Sequence, residues 1–302
     1  MSIIDEIKKL KKEKNAVILA HCYQNIEIDE VADYVGDSLY LSRCAAKTDA
    51  DIIVFAGVYF MAETAKILSP NKKVLLPNKH AGCFMADTIN LKQIREFKAE
   101  HPNIPVVCYV NSSADVKSEA DICCTSANAV SVVESLRAKE VLFVPDMHLG
   151  SYIGTKLKDV NVICYPGYCP THARILPDAI LNARKQYPNA KILAHPECRS
   201  EVLKLVDFIG STSEIMKYVH NSNDKEFVIA TEKGVVDRLQ RDYKDKKIVL
   251  VEDKVVCSNM KVIDLNDIYN SLKDEIYEVK VDDTTRNKAL DSIEKMISIG
   301  GK

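Results

Sequence analysis

Val17-Ile18-Leu19-Ala20-His21-Cys22-Tyr23, then Ala32-Asp33-Tyr34-Val35-Gly36-Asp37-Ser38, then Ile52-Ile53-Val54-Phe55-Ala56-Gly57, and finally Cys83, is one pattern that the 302-residue chain uses three times. Its second copy reads Val106-Val107-Cys108-Tyr109-Val110-Asn111, Ala120-Asp121, Ser126, Val141-Leu142-Phe143-Val144-Pro145 and Cys169. Its third reads Ile192-Leu193-Ala194-His195-Pro196-Glu197, Val206-Asp207, Thr212, Phe227-Val228-Ile229-Ala230-Thr231 and Cys257. His21, Tyr109 and His195 are spaced by 88 and 86 residues, as are Ser38, Ser126 and Thr212. Cys83, Cys169 and Cys257 are spaced by 86 and 88. Similar strands alone say little, because every α/β protein alternates apolar strands with helices. Agreement of strand, Asp, hydroxyl residue and Cys says more, and a fixed period marks one structural unit used repeatedly.

In each unit, helical pattern follows the hydroxyl residue: Leu39–Ala46 after Ser38, Ala129–Leu136 after Ser126, and Ile215–Val219 after Thr212. Strand–helix–strand at this spacing predicts parallel sheets. The expected fold is α/β, with three similar Rossmann-like three-layer domains in a pseudo-threefold arrangement around a central site. Pro-bearing joints at Pro102–Pro105 and Pro188–Asn189 suggest units 1–103 (with an N-terminal helix), 104–189 and 190–302 (with a C-terminal helix). From Thr284 on, Leu290, Ile293 and Ile297 are at helical spacing. A terminal helix is expected there, capped by Thr284 or Thr285 and ending at Gly300-Gly301.

The 47% hydrophobic and 28% charged fractions are those of an ordinary globular protein. Net charge is −2, and the only basic block, Lys8 to Lys14, alternates with Ile7 and Leu10 as a solvated helix face does. Nucleic acid is therefore not an expected partner. No run approaches the roughly 20 apolar residues of a membrane span, and Asp5 and Glu6 argue against a signal peptide. A cytoplasmic protein is expected. Its ten Cys include no Cys-x-x-Cys pair, which points away from a disulfide framework or zinc finger. Cys44, Cys108 and Cys164 read as small core residues.

In open α/β sheets, ligands bind beyond the carboxyl ends of strands. His21 and Tyr23, Tyr109 and Asn111, and His195 and Glu197 all fall there. Ser38, Ser126 and Thr212 stand just before helices, where a hydroxyl can cap the helix or help hold a carboxylate or phosphate. Three cysteines in register can surround one metal site, holding either zinc or an iron–sulfur cluster. Catalytic zinc takes three protein ligands with histidine prominent. A cubane cluster takes four Cys, so three would leave one iron open as a Lewis acid.

The chain resembles the quinolinate synthase family, the A protein of bacterial and archaeal NAD biosynthesis, over nearly its whole length. The resemblance is carried by Ala20-His21-Cys22-Tyr23-Gln24, Gly36-Asp37-Ser38-Leu39, Gly82-Cys83-Phe84-Met85-Ala86-Asp87, Tyr109-Val110-Asn111, Cys124-Thr125-Ser126-Ala127-Asn128-Ala129, Pro145-Asp146-Met147-His148-Leu149-Gly150, Gly167-Tyr168-Cys169-Pro170-Thr171-His172, His195-Pro196-Glu197-Cys198, Gly210-Ser211-Thr212-Ser213 and Ala230-Thr231-Glu232. Tyr165-Pro166 stands where the family often has Trp, Glu214 replaces a common Gly, and a Cys-rich C-terminal motif of some members is absent.

The resemblance implies three α/β domains around a 4Fe-4S cluster held by Cys83, Cys169 and Cys257. It implies condensation of iminoaspartate with dihydroxyacetone phosphate to quinolinate, phosphate and two waters. Transient contact with the enzyme supplying iminoaspartate is the implied protein partnership. Tyr23, His195 and Glu197 are then candidates for proton transfer. His21, Ser38, Asn111, Ser126 and Thr212 would hold carboxylates, Tyr109 would position or shield the forming ring, and Val110 and Pro196 would join the substrate site. His80, His101 and His220 read as surface residues, while His148 and His172 match family motifs without an assigned role. Two rival classes are a zinc enzyme with the same Cys triad and a non-catalytic two-lobed binder of dicarboxylates.

Overall fold

The computed structural model describes residues 2–300, and among them the strands form three separate four-stranded sheets. The first holds β1 (Ala16–His21), β2 (Tyr34–Gly36), β3 (Ile52–Ala56) and β4 (Lys73–Leu75). The second holds β5 (Val106–Tyr109), β6 (Ile122–Cys124), β7 (Glu140–Val144) and β8 (Asn161–Cys164). The third holds β9 (Lys191–Ala194), β10 (Phe208–Ile209), β11 (Glu226–Ala230) and β12 (Lys247–Leu250). The orders are β2-β1-β3-β4, β6-β5-β7-β8 and β10-β9-β11-β12, with every pairing parallel. The three sheets thus share one topology, and in each the strand order reverses at the first strand. That reversal opens a crevice at the strand's carboxyl end.

The repeated Asp has a structural job. Asp33 Oδ2 accepts from Ile18 N at 2.8 Å, Asp121 Oδ2 from Val106 N at 2.7 Å, and Asp207 Oδ2 from Ile192 N at 2.7 Å. Each Asp N–H also donates to the carbonyl of the same residue of the first strand. The clip fixes the loop that enters the second strand. It satisfies a backbone donor that the short edge strand leaves unpaired.

Helices Ser38–Lys47, Ala129–Ser135 and Thr212–Asn221 cover the expected segments, and Ile3–Glu13 forms the N-terminal helix with Ile7 buried. Pro102–Pro105 and Pro188–Asn189 lie in the turns leading into β5 and β9. The terminal helix, Asp283–Ser298, starts earlier than its sequence suggested. Asp282 caps it, accepting from the amides of Thr284 and Thr285 at 3.1 and 3.0 Å. A carboxylate outcompetes the two threonines here because its charge also suits the helix N-terminus. Gly301 lies outside the described residues. This helix buries Ala289, Ile293 and Met296 in a core continuous with the first and second sheets. Chain from the end of the third unit thus packs on the other two. The third sheet has its own apolar clusters, one built on Ile192, Ala194 and Val228, the other on Leu193, Phe227 and Ile229.

Candidate active site where three sheets meet

Residues from all three units line one cavity. It is bounded by His21, Tyr23 and Ser38 from the first unit, Tyr109, Asn111 and Ser126 from the second, and His195, Glu197 and Thr212 from the third. Cys83, Cys169 and Cys257 complete it. Val110 and Pro196 are buried beside these residues but are not in the lining: Val110 packs into the core, and Pro196 borders a neighbouring crevice. His80 and His220 are exposed, and His101 is half-buried against Phe97.

The helix caps are not the hydroxyl residues that the pattern singled out. Asp37 caps the first helix, accepting from Tyr40 N at 3.0 Å, and Ser211 caps the third with Glu214 completing a capping box. In the second unit the helix follows Asn128, whose Oδ1 instead accepts from Thr125 N at 2.8 Å. The preceding residue does the capping in the first and third units, and in the second the helix starts three residues past Ser126, so Ser38, Ser126 and Thr212 are free to face the cavity. Ser126 Oγ lies 3.2 Å from His195 Nε2, and Thr212 Oγ1 lies 2.9 Å from the Tyr23 hydroxyl. Asn111 Oδ1 is buried with no partner in the protein. Such an atom is costly unless a bound molecule donates to it.

A continuous hydrogen-bonded chain joins four of the lining residues through the buried Thr231. The Tyr109 hydroxyl donates to Glu197 Oε1 at 2.6 Å, and Glu197 Oε2 lies 2.7 Å from His172 Nδ1. His172 Nε2 lies 2.8 Å from Thr231 Oγ1, and Thr231 Oγ1 lies 3.0 Å from the Tyr23 hydroxyl. Every member but Tyr23 is buried, and Tyr23 is nearly so.

The cysteines occupy matching positions. Cys169 and Cys257 each precede a four-residue helix, Pro170–Ala173 and Ser258–Lys261, and Cys83 precedes the turn at Ala86–Thr88. Burial pushes all three thiols up, Cys83 to about 12; in each case the backbone N–H three residues on, at Ala86, His172 and Met260, acts to pull it down. Their loops touch: Asn259 Nδ2 donates to Gly82 O at 3.0 Å, and Thr171 faces Cys257. Buried carboxylates fix two of the three backbones. Asp146 Oδ2 accepts from Cys169 N and Glu232 Oε1 from Cys257 N, both at 3.2 Å.

The family described as quinolinate synthetase A protein matches residues 5–298. The chain belongs to that family. It is 54% identical over 298 residues to the quinolinate synthase of Alkaliphilus metalliredigens, covering 99% of this chain and 98% of the relative. It is 50% identical to that of Clostridium kluyveri, covering 98% of each, and 48% identical to that of Clostridium perfringens, covering all of both. Membership of the quinolinate synthase family makes the chain an enzyme.

Within that family assignment, the electrostatics separate the acids from the base. Burial raises the Tyr23 and Tyr109 hydroxyls well above 10, helped by the nearby Glu197 charge, so both phenols hold their protons. Burial also works to raise Glu197, but the adjacent His172 and the hydrogen bonds from His172 and Tyr109 outweigh it and hold the carboxyl well below its usual range. Burial drops His21 and His195 to about 3, so both are neutral rings that donate or accept hydrogen bonds without carrying charge. Titrating groups pushed apart by their surroundings mark acid and base roles.

Two functional positions carried no assignment from the sequence. His172 is at the end of a quoted motif, three residues after Cys169, which on a helical turn sets it beside the thiol at 3.3 Å. Thr231 ends the third strand of its unit, and only the motif Ala230-Thr231-Glu232 could have flagged it.

The three thiols suit a cluster by their donor chemistry. They come one from each unit, line one cavity, and each has an amide N–H acting in favour of the thiolate. Cys169, His172 and Glu197 also place a sulfur, a nitrogen and an oxygen within 4.8 Å of one another, a spacing suited to a single metal ion.

Proposed function

We propose that this enzyme condenses iminoaspartate with dihydroxyacetone phosphate and carries the product through phosphate loss and dehydration to quinolinate. The observation that carries the reading is the buried chain Tyr109–Glu197–His172–Thr231–Tyr23. It joins an ionised carboxylate to a protonated phenol. Dehydration and isomerisation need one group that takes a proton from carbon and another that gives one to a leaving hydroxyl. Glu197 is the acceptor, and Tyr23 is the donor. His172 and Thr231 link them, so that a proton taken at one end can be replaced at the other without bulk water.

The carboxylates of the substrate lie against the Ser38, Ser126 and Thr212 hydroxyls, with neutral His21 and His195 as further donors. Asn111 Oδ1 takes a donor from the substrate's nitrogen or hydroxyl. Tyr109, held by Glu197, forms a flat wall for the closing ring.

Cys83, Cys169 and Cys257 would hold a 4Fe-4S cluster, whose iron without a protein ligand supplies Lewis acidity when the cluster is bound. A second reading, a mononuclear zinc site at Cys169, His172 and Glu197, has the close donor spacing behind it. It would consume Glu197 and His172 as ligands and break the proton chain, which disfavours it. Ten unpaired cysteines support a reducing, cytoplasmic setting for this activity.

Anaerobic purification with iron, sulfide and zinc analysis, followed by an assay with both substrates, tests the proposal. Near-stoichiometric iron and sulfide with quinolinate formation is the expected result. Zinc in place of iron with full activity refutes it.

A further inference from the structure

Tyr23 is carried by a loop of the first unit, but much of what holds it belongs to the third. Its hydroxyl reaches Thr212 and Thr231. The backbone on either side is clamped by one guanidinium: Arg238 Nη1 donates to Cys22 O at 2.7 Å and to Gln24 O at 3.1 Å. The same nitrogen reaches Gly234 O at 3.2 Å, which ties the clamp to the start of helix Lys233–Asp242. Arg238 Nη2 pairs with Asp29, which also takes Arg241. At Gly234 the helix touches the loop directly. A Cβ there would stand 2.6 Å from Cys22 O and 2.9 Å from the Tyr23 Cα.

Arg238 is 1% exposed and its Nε has no partner. A buried ion pair is weak support for stability, since desolvation can cancel its attraction. One guanidinium nitrogen held to the two carbonyls flanking one phenol, with the other nitrogen anchored on Asp29, instead constrains where that phenol can be. We infer that Arg238, with the close approach at Gly234, is a positioning residue that sets the Tyr23 hydroxyl between Thr212 and Thr231. The inference rests on Tyr23 acting as the proton donor.

The test uses cluster-loaded enzyme carrying Arg238→Lys, Gly234→Ala, Tyr23→Phe, and each of the first two combined with Tyr23→Phe. A lysine keeps the charge but has a single nitrogen, so it cannot hold the carbonyls and Asp29 through separate donors as Arg238 does. Gly234→Ala keeps the arginine and pushes the loop. Displacing a reacting group by about 1 Å can lower turnover on the order of a hundredfold. Arg238→Lys and Gly234→Ala are therefore expected to lower kcat by about tenfold or more while KM and iron content stay near those of the parent. In the Tyr23→Phe background neither change lowers kcat further, because the group being positioned is gone.

Full kcat in both single variants overturns the inference. So does an additive loss on top of Tyr23→Phe, which would place Arg238 in some other role. If Arg238→Lys does not fold, Gly234→Ala and its pair with Tyr23→Phe decide alone. Near-normal turnover by Tyr23→Phe itself overturns the donor role, and with it the inference. A slow Tyr23→Phe beside a fast Arg238→Lys overturns the inference only.

Discussion

Thr231→Val separates proton relay from substrate placement. The hydroxyl is fully buried and joins His172 Nε2 at 2.8 Å to the Tyr23 hydroxyl at 3.0 Å. Valine keeps the shape and removes only the link. Tyr23 keeps its 2.9 Å contact with Thr212, and Tyr109 keeps its bond to Glu197, so both ends of the chain remain in place. The folded protein loses one partner of His172, and a buried group left unpaired costs roughly 1–3 kcal/mol. That is a modest drop in melting temperature without loss of the fold. Turnover should suffer more. Positioned acid–base groups contribute at least about a hundredfold, which is about 2.7 kcal/mol of barrier. The assay is kcat and KM for quinolinate formation on anaerobically prepared protein, normalised to iron content, alongside thermal unfolding. A kcat within about threefold of the parent, at equal iron, would refute the relay, because the link's share of acid–base catalysis would then be negligible.

Replacing Cys83, Cys169 or Cys257 by Ser should abolish iron binding and activity, whereas Cys44→Ser and Cys108→Ser keep iron near the parent level by iron and sulfide analysis; an essential Cys44 and a dispensable Cys83 would sink the ligand assignment. Ser126→Ala should raise KM for iminoaspartate, the loss of a hydrogen bond to a charged group being worth roughly 1.5–3 kcal/mol, beyond the modest fall in melting temperature that loss of the contact with buried His195 brings. Asp37→Ala should do the opposite, costing about 1 kcal/mol of stability as a lost helix cap; a purely thermal effect of Ser126→Ala refutes the binding role. His21 and His195, held by burial at about 3 against an ordinary 6.5, make the unfolded chain take up protons first as pH falls below 6.5. Stability should therefore decline from pH 6.5 downward, by about 2 kcal/mol for each ring at pH 5, and His195→Asn should flatten that decline in pH-dependent unfolding; an unchanged slope would show that the ring is not buried neutral.

The fold was legible because its unit is written three times. Strand orders agree across the three sheets because Val17–His21, Val106–Tyr109 and Ile192–Ala194 each begin a unit with a continuous apolar run, the mark of a strand covered on both faces. Period alone could not assign local chemistry. The spacing that repeats an Asp in each unit says nothing of its job, and Asp33, Asp121 and Asp207 are spent on backbone clips. Conversely, Ser38, Ser126 and Thr212 look like helix caps and are not, since a neighbour caps two of the helices and the one in the second unit begins three residues later than the others. The start of a helix is the least certain part of its sequence signal. The packing of Asp283–Ser298 on the first two sheets was illegible for another reason: helical spacing shows which face is apolar, not which surface covers it.

The same repeat explains why His172 and Thr231 escaped notice. Aligned by the unit, His172 falls opposite Ala86 and Met260, and Thr231 opposite Gly57 and Pro145. Neither has a counterpart with similar chemistry, so a search for matched positions passes over both. Positions at which the three units agree do work that threefold symmetry can share: Cys83, Cys169 and Cys257 offer one thiol apiece, and Ser38, Ser126 and Thr212 one hydroxyl apiece. A proton transfer has a direction and cannot be shared in this way. The row two residues past His21, Tyr109 and His195 holds Tyr23, Asn111 and Glu197, a phenol, an amide and a carboxylate. Divergence at an otherwise repeated position is thus where directional chemistry should be sought in a threefold scaffold. The proposed relay fits that expectation, since it runs from Glu197 to Tyr23 through His172 and Thr231, neither of which has a chemical counterpart in the other two units.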